Sequence, residues 1–266
     1  MSKTWFKKTA GSLDVFMKLV EDKWQQWASV KNGTPSIWFR GHANARWPLV
    51  PGLYRAPFKA SDEDVYRHEF QLRACPFLAE ATYQPTNMWE WYFLMQHHGL
   101  PTRLLDWTES SLVAMFFALV RGPEEADGAV WLMDPFRLNT EVAQIGDLLS
   151  TVEHTAIRPY LWKTWANAES LPPAPAAFEP AYNSRRIAVQ RGRFTTHGSG
   201  SQGIESYEAL HDRLAKIVIP AESKDMIRRQ LSMAGVTEGV IFPGLVGLSR
   251  EIVEEWSHEY DIRGED

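Results

Sequence analysis

At 266 residues, with 44% hydrophobic and 23% charged side chains, the chain has the make-up of an ordinary soluble globular protein. A single cysteine, Cys75, excludes an intrachain disulfide and a cysteine-based zinc site. The net charge is −5, but Glu251 to Asp266 hold seven acids against Arg263, so the near-neutral body lacks the basic footprint of a duplex-binding protein.

The start, "MSKTWFKKTAGSLDVF", has no apolar stretch of signal-peptide type after its lysines. Residues 11–30 carry Leu13, Phe16, Met17, Val20, Trp24 and Trp27 at the spacing of an amphipathic helix. Ile37-Trp38-Phe39 reads as a short strand, leaving through Arg40-Gly41. Such an exit delivers one guanidinium beside a residue able to take positive φ. It suits a fixed arginine meeting an anion, and equally a solvated arginine at a plain strand exit. Ser61 and the acids after it start a second helix. A mostly apolar helix follows Pro85 and stops at Gly99 and Pro101.

The stretch Gln96 to Ser111 then reads as a polar loop between two apolar helices, a usual place for binding groups. Within it, Asp106 with Glu109 three residues on fits a helix N-cap and its capping-box partner, or else a site residue. The apolar run Leu112 to Val120 is far below the ~20 residues of a membrane span, so no membrane partner is expected and the cytoplasm is the default location. "GAVWLMD" (128–134) reads as a buried strand. An irregular, proline-rich segment of about 136–184 follows, its "LPPAPAAFEPAYN" too stiff and polar for core.

In "RRIAVQRGRFTTHG" (185–198), Ile187 and Val189 alternate as a half-buried strand would, until Gln190-Arg191-Gly192 breaks it. This is a solvated hairpin, or a ligand-facing strand bringing Gln190 and an arginine to a pocket. "KIVIP" (216–220) is a strand, a helix runs from Ser223 to Gly235, and "GVIFP" (239–243) is a further strand. An acidic tail, 251–266, closes the chain. The expected architecture is α+β: one mixed domain over 1–266, with a central sheet flanked by helices and a motif core of about 36–135 and 185–250.

Several chemistries find no motif. There is no Walker A, no G-x-G-x-x-G fingerprint and no G-x-S-x-G elbow. Adjacent His97 and His98 do not share a helix face, and no H-E-x-x-H spacing occurs, so no metal is expected. Most of the twelve tryptophans, Trp89, Trp91 and Trp131 among them, fall in apolar periodic segments and read as core.

With its motifs in this order, the sequence resembles the FRG-domain family, named for the triple Phe39-Arg40-Gly41. The resemblance is carried by "WFRGH", "LMQHHGLPTRLLDWTESSLVAMFFAL", "RRIAVQRGRFTTHG" and "GVTEGVIFPGLVGLS", and runs from about residue 36 to residue 250. It departs at Gly244, where the family pattern has an aspartate after "FP". Family members are often bacterial and sometimes linked to anti-phage or toxin-like systems.

At the level of the fold, the chain also resembles arginine-type ADP-ribosyltransferases, which begin with a strand ending in Arg-Gly. In those enzymes a hydroxyl-bearing element follows and a late strand supplies a glutamate. The resemblance implies a nucleotide-type ligand, NAD as substrate, and catalytic roles for Arg40, Glu238 and the hydroxyl of Thr108 or Ser110, although no Ser-Thr-Ser triple is present; Asp106 is a further catalytic candidate beside them. Glu238 reads equally as an exposed turn residue after Gly235-Val236. Ligand contacts are expected from Gly41, His42, Gln96, His97, His98, Thr102, Arg103, Ser110, Gln190, Arg191, Gly192 and Phe194. The rival readings are a phosphate-sensing module without chemistry and a nuclease-like toxin using His97, His98 and Asp106. A protein target or antitoxin is left unassigned by the sequence.

Overall fold

The computed structural model describes residues 5–28, 36–78, 84–120, 122–123, 125–151, 160 and 171–263. A short strand, β1 (Phe6–Thr9), leads to helix α1 (Leu13–Ala28), which turns Phe16, Val20 and Trp27 inward. Strand β2 (Trp38–His42) is followed by α2 (Glu63–Leu78) and α3 (Met88–His97). Asn87 caps α3 by accepting from the Glu90 amide, and Gly99 ends it at φ +86°. Next come β3 (Leu104–Thr108), α4 (Ser111–Leu119) and β4 (Gly128–Met133). A single turn, α5 (Pro135–Arg137), continues as a π-helical Leu138–Ala143 into β5 (Leu149–Ser150). The last third holds β6 (Ala176–Glu179), α6 (Arg185–Val189), β7 (Gly192–Thr196), β8 (Leu214–Ile219), α7 (Lys224–Met233), α8 (Glu238–Ile241) and α9 (Leu245–Arg263).

The eight strands form one mixed sheet in the order β1-β8-β4-β2-β3-β7-β6-β5. The outermost pairs, β1 with β8 and β5 with β6, are parallel and the inner pairs antiparallel. Alternation decides the layers. Val130 and Leu132 of β4 face a core made with α1, α4, α7 and α8, while Trp131 and Met133 face the other side. There they meet Trp38, Trp107, Leu138, Ile204 and Leu210. A third cluster under α3 stacks Phe93, Phe178 and Phe194, with ring centroids 4.8–6.1 Å apart. The expected single mixed domain, with a sheet flanked by helices, is the architecture found.

Four local expectations need correction. Residues 104–108 are a strand, not loop, because β7 pairs β3 at every position. The proline-rich segment carries β6, with Ala176, Ala177 and Phe178 fully buried. Small alanines fit there, and the buried Asn139 amide closes both backbone groups of Ala177, at 2.9 and 2.7 Å. Residues 185–189 form a helical turn instead of a strand, capped by the Ser184 hydroxyl on the Ile187 amide. "GVIFP" is likewise helical at α8, where the Glu251 carboxylate holds the Gly239 amide at 2.5 Å. The acidic tail is helical in its described part.

Gly41 lies inside β2, and its φ is not positive; its role is steric. A Cβ built there would overlap the Ala114 carbonyl oxygen and lie 2.7 Å from the Ala118 nitrogen of α4. Gly128 of β4 meets the Ala118 carbonyl in the same way. The two glycines let α4 lie directly on the sheet. Gly41→Ala is therefore expected to destabilise the fold by about 1–3 kcal/mol. Gly146→Ala, with open space around it, should leave thermal melts nearly unchanged.

Candidate functional site

The site begins where the sheet parts. Strands β2 and β3 share one registered pair, Phe39 with Thr108, and separate beyond it. Arg40 is the next residue, in mid-strand and not at a strand exit. Its guanidinium fills the opening: Nη1 donates to the Asp106 carbonyl at 2.5 Å and Nε donates to His42 Nε2 at 2.9 Å. The Asp106 carboxylate stands 3.8 Å from Nη1. The two side chains differ in exposure, 17% for Arg40 against 62% for Asp106.

Burial, with a smaller contribution from nearby Arg55, brings the Arg40 pKa down to about 10, against the pull of Asp106. The guanidinium still carries its charge at neutral pH. Burial first, then the charges of Arg40 and Arg55, push the His42 pKa well below its ordinary value. A neutral imidazole therefore stands behind Arg40 and offers Nε2 as an acceptor.

A cleft of about 140 Å³ opens here, lined by Arg40, Asp106, Thr108, Phe117, Arg186 and Gln190 among others. A second cavity of about 170 Å³ shares Arg40, Gly41 and Phe117, and adds His42, Trp47 and Arg55. Arg55 is fixed by two donations to the Val50 carbonyl, at 2.8 and 2.5 Å. Arg186 sits over the Phe242 ring at 5.0 Å. Thr108 and Gln190 latch the floor. The Thr108 hydroxyl donates to the Gln190 carbonyl at 2.6 Å and accepts from the Ser110 amide at 3.0 Å. Gln190 Nε2 donates to the Ile241 carbonyl at 3.0 Å.

These motifs, distant in sequence, meet at one place. Residues 35–127 match the family model of the FRG domain. The match covers just over a third of the chain. No curated protein and no solved structure matches the chain. The FRG match includes Arg40, Gly41, His42 and the whole of Gln96 to Ser110, and ends at Asp127, just before β4. Arg186, Gln190 and Glu238 lie outside it.

Within the FRG segment, several of the expected ligand residues have partners inside the protein. Asp106 is no cap; it sits in β3, and Ser110 caps α4 by accepting from the Val113 amide. Arg103 is fully buried in a pair with Glu63 of α2, whose carboxylate takes Nε at 2.6 Å. Thr102 donates its hydroxyl to Gln96. His97 and His98, at the end of α3, stand edge to face with ring centroids 5.0 Å apart, and neither lines the Arg40 cleft.

Outside the segment, Phe194 belongs to the aromatic core and Gly192 is buried in β7. Arg191 is exposed at φ +47°. Glu238 is mostly buried and lies 3.2 Å from Arg250. It lines a different cavity, of about 250 Å³, with Thr237, Glu251 and Arg228. Among the described residues no three His, Cys, Asp or Glu side chains gather as a metal site would require, and no helix is long and apolar enough to cross a membrane.

Sequence reasoning missed Arg55 and Phe117, and marked Arg186 only as one of four arginines clustered at 185–193, a basic patch able to serve a phosphorylated ligand. The arginine run 185–193 carried the signal for Arg186, but a strand reading of that run directs attention to Arg191. Nothing in the spacing marks Arg55 or Phe117.

The neutral state of His42 gives a pH dependence with a definite sign. Its folded pKa lies below its unfolded value near 6.5, so the unfolded chain binds the extra proton. Its contribution to stability is fully present above about pH 6.5 and is lost as pH falls below that. Melting temperature should drop through this window. His42→Gln, which keeps an acceptor for Arg40 but does not titrate, should flatten the slope in melts taken from pH 7 to pH 5.

Proposed function

We propose that the chain binds a phosphate-bearing small molecule of nucleotide type, with Arg40 as its central anion contact. The observation that carries this reading is the environment of Arg40. Its guanidinium is largely withdrawn from water, yet its close partners are a carbonyl oxygen and a neutral imidazole. A ligand anion supplies the missing negative charge through charge-assisted hydrogen bonds. Arg186 on one side and Arg55 on the other extend the cationic wall into both cavities. Cavities of 140 and 170 Å³ suit phosphates and a sugar; a whole dinucleotide projects beyond them into solvent.

A second reading, cleavage of NAD, rests on Asp106. This acid lines the cleft, and a carboxylate beside a ribose stabilises the positive charge that develops as the nicotinamide bond breaks. Glu238, in another cavity and paired with Arg250, is not suited to that role.

Calorimetric titration with pyrophosphate, ADP-ribose and NAD tests the binding reading. Arg40→Lys, with its fold checked by circular dichroism and melts because it also loses the donations to Asp106 and His42, should weaken affinity by about 1.5–3 kcal/mol, since an ammonium does not reproduce the guanidinium fork. Affinity unchanged in that variant overturns it. A nicotinamide-release assay tests the second reading: Asp106→Asn should abolish turnover and Glu238→Gln should retain it. Turnover that survives Asp106→Asn removes Asp106 from the chemistry.

A further inference from the structure

Helix α9 is turned the wrong way round for a surface helix. Gly247 and Glu251 face its own domain, the Glu251 carboxylate accepting from the Gly239 amide at 2.5 Å and the Thr237 hydroxyl at 2.8 Å. Leu245, Leu248, Ile252 and Trp256 follow one another at spacings of three and four residues. At roughly 100° per residue they share one stripe, on the side opposite Gly247 and Glu251. Val246 and Val253 widen it. Every one of the six is exposed, from Leu245 at 81% to Ile252 at 46%. Side chains of this size carry ~150–250 Å² each when aromatic and somewhat less when aliphatic, so the exposed stripe is on the order of 600 Å². That is at or above the largest apolar patch of a typical monomer, and near the ~800 Å² per partner of a standard interface.

We infer that this stripe is the interface between two copies of the chain, with α9 paired antiparallel to its counterpart across a two-fold axis. Charge selects the orientation. Arg250 is the one charged residue between Leu245 and Arg250, while the acids Glu251, Glu254 and Glu255 follow it. A parallel pair sets acidic half against acidic half. An antiparallel pair sets each acidic half against the partner's acid-free N-terminal half, where the helix dipole is positive. The same arrangement lays Leu245 against Trp256 of the partner subunit and Leu248 against Val253 of the partner subunit, so one patch is complementary to itself, as a two-fold interface requires.

Sedimentation equilibrium on the full chain tests the inference. The wild-type chain should be dimeric at about 10 μM. The double variant Leu248→Glu/Ile252→Glu should raise the dimer dissociation constant by at least about 100-fold. Its circular dichroism should stay at wild-type values, and its melting temperature should match that of the wild-type chain diluted to where it is monomeric, because both side chains are about half exposed in the single chain. A wild-type chain that is monomeric at ~100 μM, or a dimer indifferent to the double variant, overturns the proposal. Orientation is read by cross-linking on a Cys75→Ser background. Leu245→Cys should fail to link to itself and should form a mixed disulfide with the Trp256→Cys chain; self-linkage at Leu245→Cys overturns the antiparallel arrangement.

Discussion

The donation from Arg40 to the Asp106 carbonyl, across the place where β2 and β3 part, holds the centre of this molecule. Two strands that separate inside a sheet leave backbone acceptors facing a gap, and the carbonyl of the exposed Asp106 is one of them. The guanidinium meets that demand from a side chain instead of a ladder bond. The sheet can then be continuous at Phe39 and Thr108 and open one residue later. Lysine would give one point charge where two directed donors are used, one toward Asp106 and one toward His42. Opening of the sheet and placement of the charge are thus one event.

What keeps the opening from collapsing is the packing on either side of it. Helix α4 rests on β2 at Gly41 and on β4 at Gly128, so its distance from the sheet is set by backbone contact. Phe117 projects from that helix into both cavities. On the other flank, the end of α6 is tied to β3 through Thr108 and to α8 through Gln190. Each tie uses a side chain against a backbone carbonyl, and such ties hold a loop in place without filling the space beside it. The cleft is the volume left between a helix fixed by glycine and a turn fixed by hydrogen bonds.

Much of the fold was readable in the sequence because burial left periodic traces. "GAVWLMD" is apolar along its length because β4 is covered on both faces, and Gly99 and Gly235 mark helix ends by backbone chemistry. The meeting of Arg40, Asp106 and Gln190 followed from treating three polar clusters as parts of one pocket. Other elements left no such trace. In "LLDWT" an exposed aspartate interrupts the apolar run, and only pairing with β7 makes it a strand. In "AAFE" the buried side chains are mostly alanines, and the strand depends on an asparagine some forty residues earlier. For "RRIAV" and "EGVI" four or five residues are too few to separate a period of two from one of 3.6; the first turn is capped locally by Ser184, and the second is held from α9 by Glu251. Glu238 is affected by the same ambiguity: it opens the helical turn α8, buried against Arg250, and is not the exposed turn residue that was one of its two readings.

Three arginines withdrawn from solvent show why Arg40 differs from a structural ion pair. Arg103 has the Glu63 carboxylate against it, and both side chains are almost completely hidden. Arg193 lies 3.0 Å from Glu109 and 3.4 Å from Glu179, with the Tyr182 hydroxyl at 2.6 Å. In both, desolvation of the cation is offset by a carboxylate in contact, as burial of an ion demands. Arg40 gives up its water to a carbonyl and an imidazole, while its acid stands 3.8 Å away and mostly in solvent. Its lowered pKa is the thermodynamic mark of that shortfall. A fold that meant only to hide a cation would have brought Asp106 inward, as it did Glu63. Leaving the charge under-neutralised costs stability, which under the anion-binding proposal a bound anion would return as binding energy. The neighbouring imidazole is held neutral by burial first, and then by the charges of Arg40 and Arg55, against which a second fixed positive charge at His42 would add repulsion.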